Sequence, residues 1–173
     1  MDAYMIVFRI IHISSAILWA GSAVFYTTFV GPTVETLGPE AGRFFNHLVR
    51  QRKAVIFFLV VSTLTVVAGG FLYWRNSGGL DIDWIQTGVG TGFTVGAIAG
   101  LISWLLVVGV LAPTSYRLTA LGQQLSAAGG PPSQERMASL QTLQSRLKRF
   151  SLLTIASLGI ATLAMAMARY LGA

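Results

Sequence analysis

Along the chain, long apolar runs alternate with shorter polar ones. Four apolar stretches, about residues 4–30, 54–74, 84–112 and 150–171, reach or exceed the roughly 20 residues a helix needs to cross about 30 Å of hydrocarbon. This pattern predicts an all-α, polytopic membrane four-helix bundle, a single domain over residues 1–173. A signal peptide is the rival reading of the first run. It fails because the run is too long and Arg9 lies inside it instead of in a basic leader.

The polar connectors refine the picture. Gly31-Pro32 is expected to end the first helix, since proline cannot donate a backbone hydrogen bond. Leu37-Gly-Pro-Glu restarts one, with Pro39 suited to a first helical turn. From Glu40 the positions Phe44, Phe45, Leu48 and Val49 are amphipathic and meet no breaker, so Glu40–Trp74 reads as one long helix. Asn76-Ser-Gly-Gly predicts a tight turn, and Gly129-Gly-Pro-Pro a break between spans three and four. Ser133-Gln-Glu-Arg looks like a helix start leading through Met137, Leu140, Leu143 and Leu147 into the fourth span. Helices 2 and 4 would thus extend beyond the membrane, each with a solvated charged face as the plain explanation.

Composition agrees with the pattern: 54% of residues are hydrophobic and only 10% charged, against about a quarter charged in soluble domains. The net charge of +6 raises the question of nucleic acid, but no basic run is interleaved with stacking aromatics. The basic residues instead sort by connector. Arg43, Arg50, Arg52, Lys53, Arg117, Arg136, Arg146, Lys148 and Arg149 fall on one side, nine against the three of Arg9, Arg75 and Arg169. The positive-inside rule then puts both long connectors in the cytoplasm and both termini outside, with the basic groups near anionic lipid headgroups. The expected partner is the lipid bilayer, with a homo-oligomer or larger membrane complex left open and no nucleic acid. The absence of cysteine excludes thiol chemistry, Fe–S clusters and Cys-based zinc sites.

Polar groups inside a bilayer are costly and mark candidate chemistry. On the first helix Arg9, His12, Ala16, Trp19, Ala23 and Tyr26 recur at steps of three and four, on one face. His12 is the one strong nitrogen donor at membrane depth, because the other histidine, His47, falls in the connector about a bilayer away. It is a candidate metal ligand, or else a buried histidine bonded to a neighbouring helix. On the third helix Gly88, Gly92, Gly96 and Gly100 form a ladder that serves close helix packing or leaves a slot for a planar macrocycle. Ser62, Thr65, Gly69 and Tyr73 on the second helix, and Thr154, Ser157, Ala161, Met165 and Arg169 on the fourth, read as helix glue. The thioethers of Met165 and Met167 are of the soft kind that suits copper(I), but they point to different faces. Arg9 and Arg169, near the outer ends, either snorkel to the interface or pair with anionic groups. No span holds an Asp or Glu, and no nucleotide or Ser/His/Asp signature is visible.

The segment Arg9-Ile-Ile-His-Ile-Ser-Ser-Ala-Ile-Leu-Trp-Ala-Gly21 resembles the first-helix signature of the CopD/HemJ-like group of small four-helix bacterial membrane proteins. Phe29-Val-Gly-Pro32, Arg50-Gln-Arg-Lys53 and Gly69-Gly70 are similar as well. The resemblance implies a multi-pass protein of the bacterial cell (inner) membrane that binds haem b. His12 would be the ligand, Trp19 and Gly21 its packing partners, Arg9 and Arg169 candidates for the propionates, and Gly92 and Gly96 candidates for the macrocycle face. Trp84-Ile-Gln-Thr-Gly lacks the His and Lys of HemJ-type enzymes at that place, and Arg149 is not followed by their Asn-Glu pair, so no catalytic residue carries over. Three readings stand: a haem b protein with an electron-transfer or oxidase-like role through His12, a non-enzymatic accessory or assembly subunit, and a copper or small-solute transporter.

Overall fold

The computed structural model describes residues 3–37, 39–128 and 133–172, and of Pro39 and Glu40 the backbone alone. Every regular element among them is helical: α1 (Ala3–Thr36), α2 (Pro39–Asn46), α3 (Ala54–Asn76), α4 (Ile82–Gln86), α5 (Gly88–Ala127) and α6 (Gln134–Ala168). Four of these, α1, α3, α5 and α6, are long and apolar enough to cross a membrane. The Gly129-Gly-Pro-Pro break lies outside the described residues, as do Gly38 and Asp2.

The outer surface agrees with the apolar pattern. Ile17, Val67, Ile98 and Leu163, one from each long helix, are 66, 62, 55 and 67% exposed. Water would make such a belt unfavourable by about 25 cal/mol per Å², whereas lipid tails cover it without loss. The interior is built from all four spans: Trp19, Val61, Val107 and Leu158 meet in one buried cluster. The spans pair as hairpins, α1 chiefly on α3 and α5 chiefly on α6. The two hairpins join through lighter α3–α5 and α1–α6 contacts.

Hydroxyls and small residues hold these seams. Thr65 Oγ1 donates to Ser15 Oγ at 2.9 Å across α1 and α3, and Ser157 Oγ donates to the Ala99 carbonyl at 2.8 Å across α5 and α6. Trp104 Nε1 donates to Thr63 Oγ1 at 3.1 Å, and Tyr73 and Thr94 share a 2.6 Å hydrogen bond, both tying α3 to α5. The expected polar stripes on the second and fourth helices are therefore helix glue.

Three local expectations change. Gly31-Pro32 does not end the first helix. A widened turn over Tyr26–Val30 lets the Gly31 N–H reach the Tyr26 carbonyl, five residues back. That extra residue offsets the clash between a proline ring and the carbonyl of the preceding turn, so α1 continues to Thr36. Helix α5 repeats the device: Val107–Leu111 is widened, Ala112 N–H bonds to the Val107 carbonyl, and Pro113 follows without a break. Secondly, Glu40–Trp74 is not one helix. After a widened turn at His47–Gln51 the chain breaks at Arg52-Lys53, where Lys53 adopts a left-handed φ of 53°. With the helix broken there, Phe45 and Val49 bury against Ala112 and Leu147. Thirdly, the third span starts at Gly88 and not at Trp84, because Thr87 ends α4 and caps α5, its Oγ1 accepting from Gly90 N–H at 3.0 Å.

Other signals are met. Ser133 caps α6, accepting from Arg136 N–H at 3.4 Å, and α6 then runs unbroken for 35 residues. The Asn76-Ser-Gly-Gly turn forms, with Gly78 and Gly79 at φ of 63° and 90°.

Candidate functional site

His12 lies on the α1–α3 seam. Its Nδ1 is 2.8 Å from the Thr65 carbonyl, so Nδ1 carries the proton and donates, leaving Nε2 as the free nitrogen lone pair. Gly69 makes room for the ring: a Cβ there would stand 2.7 Å from His12 Cε1 and 2.8 Å from Nδ1. A fixed Nδ1 with a free Nε2 is the donor arrangement of a ligating histidine. It is equally the arrangement of a histidine that clips two helices together.

The other sequence candidates do not gather around His12. Gly92 faces α6, where a Cβ would meet Ala168 Cα at 2.9 Å, and Gly96 faces Met165 and the Ala161 carbonyl at 2.5 and 3.2 Å. The glycine face is thus filled by a helix, which answers the packing reading and leaves no slot there. Arg9 is exposed on α1, and Arg169 lies beyond the end of α6 with its guanidinium 4.7 Å from the Tyr170 ring. Met165 is packed against Gly96 while Met167 is exposed, so the two cannot share an ion. No cluster of three or more acidic or histidine side chains forms among the described residues.

Trp19 is placed differently from its expected role beside His12. It is 1% exposed in the central cluster, and its indole N–H is buried with no partner among the described residues, a cost of about 1–3 kcal/mol. On its connector side the four helices part around a cavity of about 450 Å³, with Trp19 at the inner end. Pocket volumes for small molecules run from about 300 to 1,000 Å³. The most exposed lining residues, Gly21 and Phe25 of α1 and Phe57 of α3, place the opening between those helices, on the apolar flank.

The cavity wall gathers hydroxyls that make no hydrogen bond among the described residues. Elsewhere in the spans, the hydroxyls of residues such as Ser15, Ser62, Thr94, Ser103 and Thr162 donate to carbonyls of their own helix, as does Thr154 on the cavity wall. Around the cavity Ser22, Tyr26, Thr27, Ser115 and Ser151 have hydroxyls that bond to nothing among the described residues. They come from three helices, α1, α5 and α6. The wall carries no ionisable acid or base apart from the Tyr26 phenol. A smaller annex of about 90 Å³ shares Tyr26, Phe45 and Ser151 and is edged by Lys148 and Glu35, which neutralise each other at 3.0 Å.

No helical stripe or spacing in the sequence singles out Ser22, Thr27, Ser115 and Ser151. One signal is present: Gly31-Pro32-Thr33 and Ala112-Pro113-Thr114 put a proline-marked distortion at the same end of two helices.

Among the described residues the glycine face is occupied, neither of these two cavities reaches His12, and His47 sits in the connector. No family model, curated protein or solved structure matches the chain.

Proposed function

We propose that this chain is a multi-pass cell-membrane protein that binds an uncharged, lipid-soluble small molecule entering sideways from the bilayer. Its long connectors lie in the cytoplasm and its termini outside, as the basic residues favour. The observation that supports the binding reading is the pairing of an apolar, laterally open cavity with five uncommitted hydroxyls. Several other hydroxyls of the spans donate to carbonyls of their own helix, whereas these five line one cavity without a partner among the described residues. A binding or accessory role needs no catalytic residue.

The test is an organic extract of detergent-purified protein, analysed by mass spectrometry. Wild type should yield a neutral apolar molecule near one per chain. The Ser22→Phe variant, which fills the cavity from α1, should lose it while circular dichroism stays unchanged. Equal extracts from both proteins would sink the reading.

One observation favours a second reading, haem b with His12 as ligand: the free Nε2 beside a fixed Nδ1. Since neither cavity described above reaches His12, this reading takes a homo-oligomer that covers the α1–α3 seam. Purified protein should then show a Soret band that His12→Ala abolishes and His47→Ala leaves intact. A colourless preparation from haem-supplemented cells would end it. Copper transport finds no support in the placement of Met165 and Met167.

A further inference from the structure

We infer that the molecule this cavity takes is a membrane quinone, a flat ring bearing two carbonyl oxygens on an isoprenoid tail. The inference rests on the binding reading above and adds the chemistry of the ligand.

Charge is the first filter. No Lys, Arg, His, Asp or Glu lines the cavity, and the pair at the annex is already matched. A carboxylate or ammonium head would be buried there unpaired, at a cost that excludes it. Fatty acids and amines are therefore poor occupants.

Hydrogen bonding is the second. Every uncommitted polar side chain on the wall, the five hydroxyls and the Trp19 indole N–H, can donate to an oxygen that can only accept. Ser22, Tyr26 and Thr27 approach from α1, Ser115 from α5 and Ser151 from α6. Donors spread over three helices suit two oxygens at opposite sides of a rigid head better than a single terminal oxygen.

Shape is the third. Trp19, Phe25, Phe45, Phe57 and Phe58 also line the cavity. Aromatic rings favour offset-stacked or edge-to-face contact with another flat ring, whereas a purely aliphatic occupant needs no such wall. The opening between α1 and α3 lets a long tail remain among lipid chains while about 450 Å³ encloses the head.

The experiment uses the whole chain in phosphatidylcholine nanodiscs, titrated with a benzoquinone carrying one isoprene unit, with tryptophan fluorescence as the readout. Saturable quenching is expected, and Trp19→Phe should remove most of the saturable part. Ser22→Ala and Ser151→Ala, which leave the packing intact, should each weaken binding by about 3- to 10-fold. An alcohol with the same tail and a fatty acid serve as competitors, and neither should displace the quinone at equal concentration. Displacement by the alcohol, or unchanged affinity in both serine variants, would overturn the quinone assignment while leaving the cavity a binding site. Quenching that rises linearly without saturation, identical in wild type and Ser22→Phe, with no competitor bound either, would overturn both.

Discussion

Replacing Gly96 or Gly92 by leucine should loosen the α5–α6 hairpin by about 3 kcal/mol or more, at the upper end of the cost of overpacking. At Gly92 the obstacle is backbone, Ala168 Cα at 2.9 Å, which cannot swing aside. At Gly96 a Cβ meets Met165 Cγ at 2.5 Å with the Ala161 carbonyl behind it at 3.2 Å. The side chain could move but the carbonyl could not. The same ladder supplies its own control. A Cβ on Gly100 meets nothing within 4 Å, so Gly100→Leu should leave stability within about 0.5 kcal/mol, as for a surface change. Unfolding of the three variants in mixed detergent micelles, followed by circular dichroism, separates them. Equal stability of Gly96→Leu and Gly100→Leu would mean that the glycine face is not the α6 interface.

The second large effect is a coupling. Gly69→Val should destabilise the α1–α3 hairpin by about 1–3 kcal/mol, because the new side chain occupies the place of the His12 ring. His12→Ala alone loses a hydrogen bond to the Thr65 carbonyl, about 1 kcal/mol. Combined, the two should cost clearly less than their sum, since alanine at position 12 vacates the space that valine needs. Residues in contact show interaction energies of about 0.5–3 kcal/mol in such cycles. Strict additivity would mean that the ring lies elsewhere. The cycle also bears on haem, because a histidine held chiefly by Gly69 and Thr65 has a sufficient structural role without a ligand.

Much of this architecture is legible in the order of residues. Span count follows from run length, because an α-helix rises a fixed 1.5 Å per residue and hydrocarbon thickness is fixed too. Ser133 and Asn76-Ser-Gly-Gly announce a cap and a turn by local hydrogen bonding alone. The amphipathic stretch Phe44 to Val49 shows a face that needs cover, and Phe45 and Val49 are buried.

Proline misleads for a physical reason. Pro32 breaks an ordinary helix, but one extra residue in the preceding turn removes the clash, and nothing local in Tyr26–Val30 announces that insertion. Lys53 misleads in the opposite sense: no breaker stands there, yet the helix breaks, and burying Phe45 and Val49 offsets about 1–2 kcal/mol of left-handed backbone.

The sequence by itself determined four helices long and apolar enough to cross a membrane and the one histidine that falls within them, since these depend on local composition and on a fixed rise per residue. It left the glycine ladder and His12 each with two meanings. Tertiary structure decided the first by seating α6 on Gly92 and Gly96. For the second it supplied the partners, Thr65 and Gly69. It also made the cavity, which belongs to no segment. Residues as distant in the chain as Ser22 and Ser151 share a wall because two hairpins that each pack tightly within themselves meet loosely at one end, and pair packing of that kind is not encoded in any local run.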